Sequence, residues 1–450
     1  MVDVLYLSIL FLSPGILLYS FFIRKNYIFL IPSLSILIWS FSSTILPLNL
    51  LISNSFLSYI LIFIGLFVSV KLKNINIIFL NIGLMLILEI LNNNFGILNI
   101  VSTTSESFIA GGENRDLKFS NINISAIQVA SLKFFTENYL VLTIPQLLGI
   151  SLFFQNIYLI ISFKKLRFYI SLLPFVVFFI FCILLEITTI RTHFFASQIL
   201  CFLIIITFQT KKDEALNFIV PIFLILFFAS RLENYIFYTP IIFVLIYQYL
   251  KEIDINPLNL CIASVVPIFI NYFGYLSGED VRSNIYLNLL IALTLGTFIF
   301  FDKSQFVQKI LRYQYLLSIL FIIALVILQY VQFGQKALNS WLFIITHLLD
   351  THYGWVIASL YFLISITYLI NLSKSDFEKT IYKHICLVFL LIFATAPLHH
   401  SIYGGELWNM GEIELAIYNP YDESQTRAFL QLVLTIAPLT MMINIKKIKD

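Results

Sequence analysis

The sequence predicts an all-α fold, a polytopic transmembrane helical bundle of about fifteen spans with its N-terminus outside and its C-terminus inside. Three observations predict it. Of 450 residues, 60% are hydrophobic and only 11% charged, and the mean hydropathy of +0.94 lies far outside the range of a soluble domain. Apolar runs of roughly 17 to 25 residues, enough to cross a bilayer core, recur along the whole chain between short polar breaks, the weakest of them near 76–92 and 384–398. Lysine and arginine, which stay on the cytoplasmic side of short loops, return at every second break.

With the N-terminus outside, the inside breaks carry Arg24/Lys25, Lys71/Lys73, Lys164/Lys165/Arg167, Lys211/Lys212, Lys251, Lys303/Lys309/Arg312, Lys374/Lys379/Lys383 and Lys446/Lys447/Lys449, which is 19 of the 27 basic residues. The register never breaks, so an odd number of spans follows. Every run is expected to be a helix, because each backbone N–H and C=O in hydrocarbon needs a partner in its own segment and the alternation of a barrel strand is absent. Met1 to Tyr6 lacks the basic start of a cleaved signal peptide. Residues 1–75 are read as extra N-terminal transmembrane helices and 76–250 as a central module with a first long outside loop at 92–137. Residues 251–450 are read as C-terminal helices with outside loops at 333–355 and 399–427.

Several chemistries are set aside by what the chain lacks. Cys182, Cys201, Cys261 and Cys386 all lie in apolar runs with no C-x-x-C spacing, so neither a disulfide framework nor a zinc site is suggested. No phosphate-binding glycine loop, helical H-E-x-x-H or fixed-period repeat occurs. The net charge of +3 belongs mostly to the inside anchors and implies no nucleic-acid partner.

The outside loops hold the chemistry. The first carries Glu106, Glu113, Arg115, Asp116 and Lys118, followed by Phe119 to Phe135. There Ile122, Ala126, Val129, Ala130 and Lys133 fall at helical spacing, which predicts an amphipathic helix lying in the interface. Short turns follow, Glu186-Ile-Thr-Thr-Ile-Arg191-Thr-His193, then Arg231-Leu-Glu233-Asn-Tyr235, then Glu279-Asp280-Val-Arg282. Taken singly, each such turn is a loop salt bridge or a snorkelling anchor. Several on one face point to function, because ionisable groups beside hydrocarbon must be paired, wet or used. Glu89, near the outer end of its span, has both readings.

The last third adds His347, Asp350 and His352, then His399, His400, Glu406, Trp408, Glu412, Glu414, Tyr418, Asp422, Glu423 and Arg427. Five of the six histidines and three of the four tryptophans thus fall outside. Histidine and aspartate ligate divalent ions, yet His347, Asp350, His352, His399 and His400 follow no tight ligand spacing. No cofactor is certain, and a divalent metal is left open.

This layout resembles a known family. An outside loop with an acid (Asp116), an amphipathic juxtamembrane helix, and a span opening Tyr139-Leu-Val-Leu-Thr-Ile-Pro145 is similar to the start of the GT-C superfamily of polyprenyl-phosphate-sugar glycosyltransferases. Thr189-Ile-Arg191-Thr-His193-Phe-Phe-Ala and Phe227-Phe-Ala-Ser-Arg231-Leu-Glu233-Asn-Tyr235 resemble two later outside turns of that family. The likeness covers roughly 76–250 and is one of architecture and weak motifs. About three spans precede the module, and His193 stands where many members carry a second acid.

The resemblance implies transfer of a sugar from a polyprenyl-phosphate donor to a glycan, lipid or protein acceptor on the extracytoplasmic face of a bacterial inner membrane. Asp116 would be the general base, with Glu113 or Glu106 in reserve. Arg231, Arg191, His193 and Arg427 would meet the departing phosphate through charge-assisted bonds. Glu233, His399, His400 and Tyr418 are further candidates for substrate contact. Three rivals remain: an O-antigen or polysaccharide polymerase or ligase centred on the C-terminal outside loop, a lipid-linked oligosaccharide flippase or transporter, and a sensor or structural membrane protein. The flippase fits less well, since the charges gather at one face and no inverted repeat with broken helices is seen.

Overall fold

The computed structural model describes residues 2–23, 27–45, 55–71, 76, 79–84, 140–164, 192–208, 214–230, 233–275, 285–301, 305–335, 337–339, 341–342, 353–373, 375–395 and 424–440. Among them every regular element is a helix, so the fold is all-α as expected. One stretch, Tyr313–Phe333, is both long and apolar enough to cross a membrane, and shorter apolar helical stretches of 10–17 residues accompany it.

The helices are α1 (Val2–Leu18), α2 (Ile31–Ile45), α3 (Ser55–Lys71), α4 (Leu140–Lys164), α5 (Thr192–Thr207), α6 (Leu216–Ser230) and the short α7 (Glu233–Phe237). They continue with α8 (Thr239–Gln248), α9 (Pro257–Tyr275), α10 (Ile285–Phe300), α11 (Gln305–Phe333), α12 (Tyr353–Leu372), α13 (Asp376–Ala394) and α14 (Ser424–Leu439). α5 lies at the centre, packed against α4, α6, α8 and α14. Its residues from Phe194 to Ile206 are buried almost without exception. A helix apolar on every side belongs in such a position.

Direction along the bundle follows from named contacts. Taking the Thr192 end of α5 as the upper end, α6 climbs beside α5 after the tight turn in which Phe208 N–H donates to Ile205 O. α4 descends parallel to α5, since Gly149 lies against the Phe194 ring and Asn156 against Gln198 lower down. α14 descends too: Gln431 meets Asn234, just past the upper end of α6, and Thr435 meets Ser197 one turn into α5. α13 climbs from the lower end, where Phe377 and Tyr382 meet the Phe208 ring. α11 climbs beside it, with Gln329 Nε2 donating to Ala394 O at 2.7 Å.

Close approaches between helices rest on small residues. At Gly15 any Cβ would run into Ile31 O and Ser35 Oγ, and the Gly15 N–H instead donates to that hydroxyl at 3.0 Å. Gly149 similarly leaves room for the Phe194 ring. Two helix ends need left-handed backbone. Gly334, at φ 55°, closes α11 while its N–H donates to Tyr330 O. Asp254, at φ 64°, ends the π-turn Tyr249–Ile253, a conformation that aspartate tolerates better than most side chains.

α11 stands at the rim. It packs chiefly on α13, and Leu316, Leu320, Phe321, Ile327, Leu328 and Val331 are all exposed around it.

Candidate functional site at the upper helix ends

Two sets of charged residues separate by end. Lys251 lies in the lower π-turn, its ammonium 4.4 Å from the centroid of the Tyr247 ring. Lys379 and Lys383 stand in the first turns of α13, also at the lower end. His193 and Arg427 stand in the first turns of α5 and α14, and Glu233 opens α7, all at the upper end. Because α14 begins at Ser424, Arg427 sits in a helix and not in the loop that precedes it.

The remaining sequence-derived candidates, Asp116, Glu113, Glu106, Arg231, Arg191, His399, His400 and Tyr418, lie outside the described residues, as do Glu89, the 119–135 segment, His347, Asp350 and His352. Among the described residues no three of His, Cys, Asp and Glu come together as a metal would require.

The structure supplies what holds these ends together. Below them runs a seam of buried amides and hydroxyls. Gln431 Nε2 donates to Asn234 Oδ1 at 3.1 Å. Asn234 Nδ2 donates to Phe227 O at 2.7 Å and to Ser230 Oγ at 3.4 Å, capping the last turn of α6. Thr435 Oγ1 donates to Ser197 O, and Gln198 Nε2 to Ser197 Oγ and Leu434 O. Asn156 Nδ2 then donates to Gln198 O and Oε1 at 3.0 and 3.1 Å. Asn156, Gln198, Asn234 and Gln431 are each no more than 1% exposed. Asn156 Oδ1 alone in this seam has no partner among the described residues.

Helices α4, α5 and α14 thus descend side by side with their amino-terminal ends toward the upper end, those of α4 and α14 rising above that of α5. Each such end presents unpaired N–H groups and a partial positive charge. A helix amino terminus favours an anion such as a phosphate or carboxylate, and the first turns of α5 and α14 carry His193 and Arg427.

The chain matches no known protein family, no characterised protein and no solved structure. Its chemistry is therefore argued from its own residues.

The seam was not among the sequence candidates, although a signal for it exists. Gln155-Asn156, Gln198 and Gln431 are amides inside long apolar runs, and an amide in such a run must find a partner on a neighbouring helix. Gln155 finds one as well, its Oε1 accepting from Phe29 N–H. The sixth histidine, His384, is buried in α13 with Nδ1 2.7 Å from Thr380 O and its ring edge-on to Tyr315. It lies well away from the upper ends.

Proposed function

We propose that the chain is a polytopic integral membrane glycosyltransferase that moves a sugar from a polyprenyl-phosphate donor to an acceptor at the extracytoplasmic face. Support comes from the helix positions of His193, Glu233 and Arg427, which all fall toward the upper end of the bundle, above the Gln431–Asn234 bond. In this reading the upper end is the outer face and the lysine-bearing lower end faces the cytoplasm. Charge develops on the departing phosphate, and guanidinium groups with helix amino termini are suited to stabilise it. Asp116 takes the proton of the acceptor hydroxyl as that oxygen attacks the anomeric carbon. The exposed apolar α11 meets lipid.

A second reading has one observation in its favour. The polymerase or ligase reading places the active site in the C-terminal outside loop, and α14, which continues that loop, packs directly on the central helix. The two readings share Arg427 and differ over Asp116.

The test is release of radiolabelled sugar from a polyprenyl-phosphate donor by purified protein in lipid, comparing wild type with Asp116→Asn and Arg427→Ala. Transfer lost in both variants is expected. Full transfer by Asp116→Asn with loss in Arg427→Ala would move the assignment to the second reading. Donor bound but never consumed would point to transport.

A further inference from the structure

We propose that Gln198 is a two-position latch between α5 and α14. In the position observed, its amide donates to the Leu434 carbonyl, which Pro438 leaves without a helical donor. In the other, it turns to Asn156 Oδ1 and releases the lower half of α14 from α5. The latch stands on the amide seam alone and is independent of the transferase reading.

The first observation behind it is a missing donor. Pro438 lies inside α14, and a proline has no N–H for the carbonyl four residues earlier, here Leu434 O. A carbonyl freed in this way among apolar side chains needs a donor from a neighbouring helix. Gln198 Nε2 supplies it at 3.2 Å. The bundle repairs a second proline likewise: Pro221 in α6 frees Asn217 O, and Asn259 Nδ2 of α9 reaches that oxygen at 3.3 Å.

The second observation is a half-made amide pair. Two side-chain amides that face each other can exchange two bonds, each N–H to the other's oxygen. Asn156 Nδ2 donates to Gln198 Oε1 at 3.1 Å, yet the buried Asn156 Oδ1 has no partner among the described residues. The return bond is unmade because Gln198 Nε2 is spent on Leu434 O and Ser197 Oγ. Flipping either amide does not cure this. Gln198 O and Leu434 O are backbone carbonyls that only accept, so Nδ2 and Nε2 must face them.

Two buried acceptors thus compete for one donor, and either choice leaves the other bare. The two positions are therefore close in hydrogen-bond energy, which is what a bistable element requires. Passing between them needs a turn of a terminal amide, a torsion with broad wells. The neighbouring tie has a fallback too, since Thr435 Oγ1, 3.3 Å from Ser197 O, keeps Gln431 O at 2.8 Å when the helices part. Above these ties the Gln431–Asn234 bond stays made and serves as the pivot.

The experiment changes each acceptor in turn. Full-length protein in lipid, with its four native cysteines replaced by alanine, carries spin labels at position 158 on the exposed face of α4 and at position 440 just past α14. Pro438→Ala gives Leu434 O a helical donor and sets Gln198 free, so a second, shifted distance is expected beside that of the parent. Adding Asn156→Leu removes the competing acceptor and should restore the parent distance alone. Gln198→Leu, which removes the latch altogether, should broaden the distribution. No second distance in Pro438→Ala overturns the proposal. A shift that survives Asn156→Leu also overturns it, because the proline change then acts on the helix directly. A Gln198→Leu distribution as narrow as that of the parent shows that Gln198 holds nothing.

Discussion

Asn156 shows how single side chains set the cohesion of this protein. Its Nδ2 is shared between the backbone and side-chain oxygens of Gln198, so it ties α4 to α5 where no ionic group is present. Interhelical bonds of this kind contribute about 0.6 to 2 kcal/mol in a bilayer. Asn156→Leu should therefore lower stability by about 1 kcal/mol, and the pair Asn156→Leu with Gln198→Leu should lose less than the sum of the single losses. Additive losses in a steric-trapping or denaturant titration would show that the two side chains act separately. Glycine makes the opposite kind of contact. Gly15 faces backbone oxygen at Ile31, which cannot swing aside. Gly15→Ala should separate α1 from α2 and cost about 1 to 3 kcal/mol, as overpacking does. A melting midpoint in detergent equal to that of wild type would contradict this.

At the scale of elements, α11 depends on few partners. It is long, apolar and mostly exposed; Gln329 Nε2 in its upper part donates to Ala394 O, and Trp341 Nε1, beyond its end, donates to the same carbonyl at 3.3 Å. Ala394 O is one of the last carbonyls of α13 and has no intrahelical donor to spare. Gln329→Leu should leave it with one partner fewer and loosen the upper half of α11. Hydrogen exchange over 325–339 should then rise, while exchange in α5 stays slow. Protection unchanged over 325–339 would mean that lipid packing alone holds α11. The start of α13 is set locally and needs no such help. Ser375 caps it by accepting from Glu378 N–H at 3.1 Å, with Asp376 and Glu378 in the first turn. Ser375-Asp-Phe-Glu378 has the spacing of a capping box, of which this bond is the Ser375 half.

For the whole molecule, the alternation of ends carries a prediction about sidedness. Single cysteines at 251 and 379 sit at the lower end, and one at 427 at the upper end. In intact spheroplasts an impermeant thiol reagent should modify the 427 variant and spare the other two until the membrane is opened. The reverse pattern would invert the proposed orientation and put the site on the cytoplasmic side.

Helical character was legible in the sequence. It depends on local facts: apolar runs too long and too poor in alternation for strands. His193, Glu233 and Arg427 were legible as candidates for the same reason, being ionisable groups at the edges of such runs. Their falling at one end of the bundle was not legible. His193 and Arg427 are separated by more than half the chain, and nothing in the composition of an apolar helix says which neighbour its one glutamine will find. Partner choice is decided by packing: by Gly149 admitting Phe194, by α5 buried on every side, and by amides that lower their energy only when a specific second helix brings a carbonyl or another amide within about 3 Å. The sequence by itself determined that the described segments are helices. Only the tertiary structure decided that α4, α5 and α14 descend together, because that choice is made by contacts between helices and not within them.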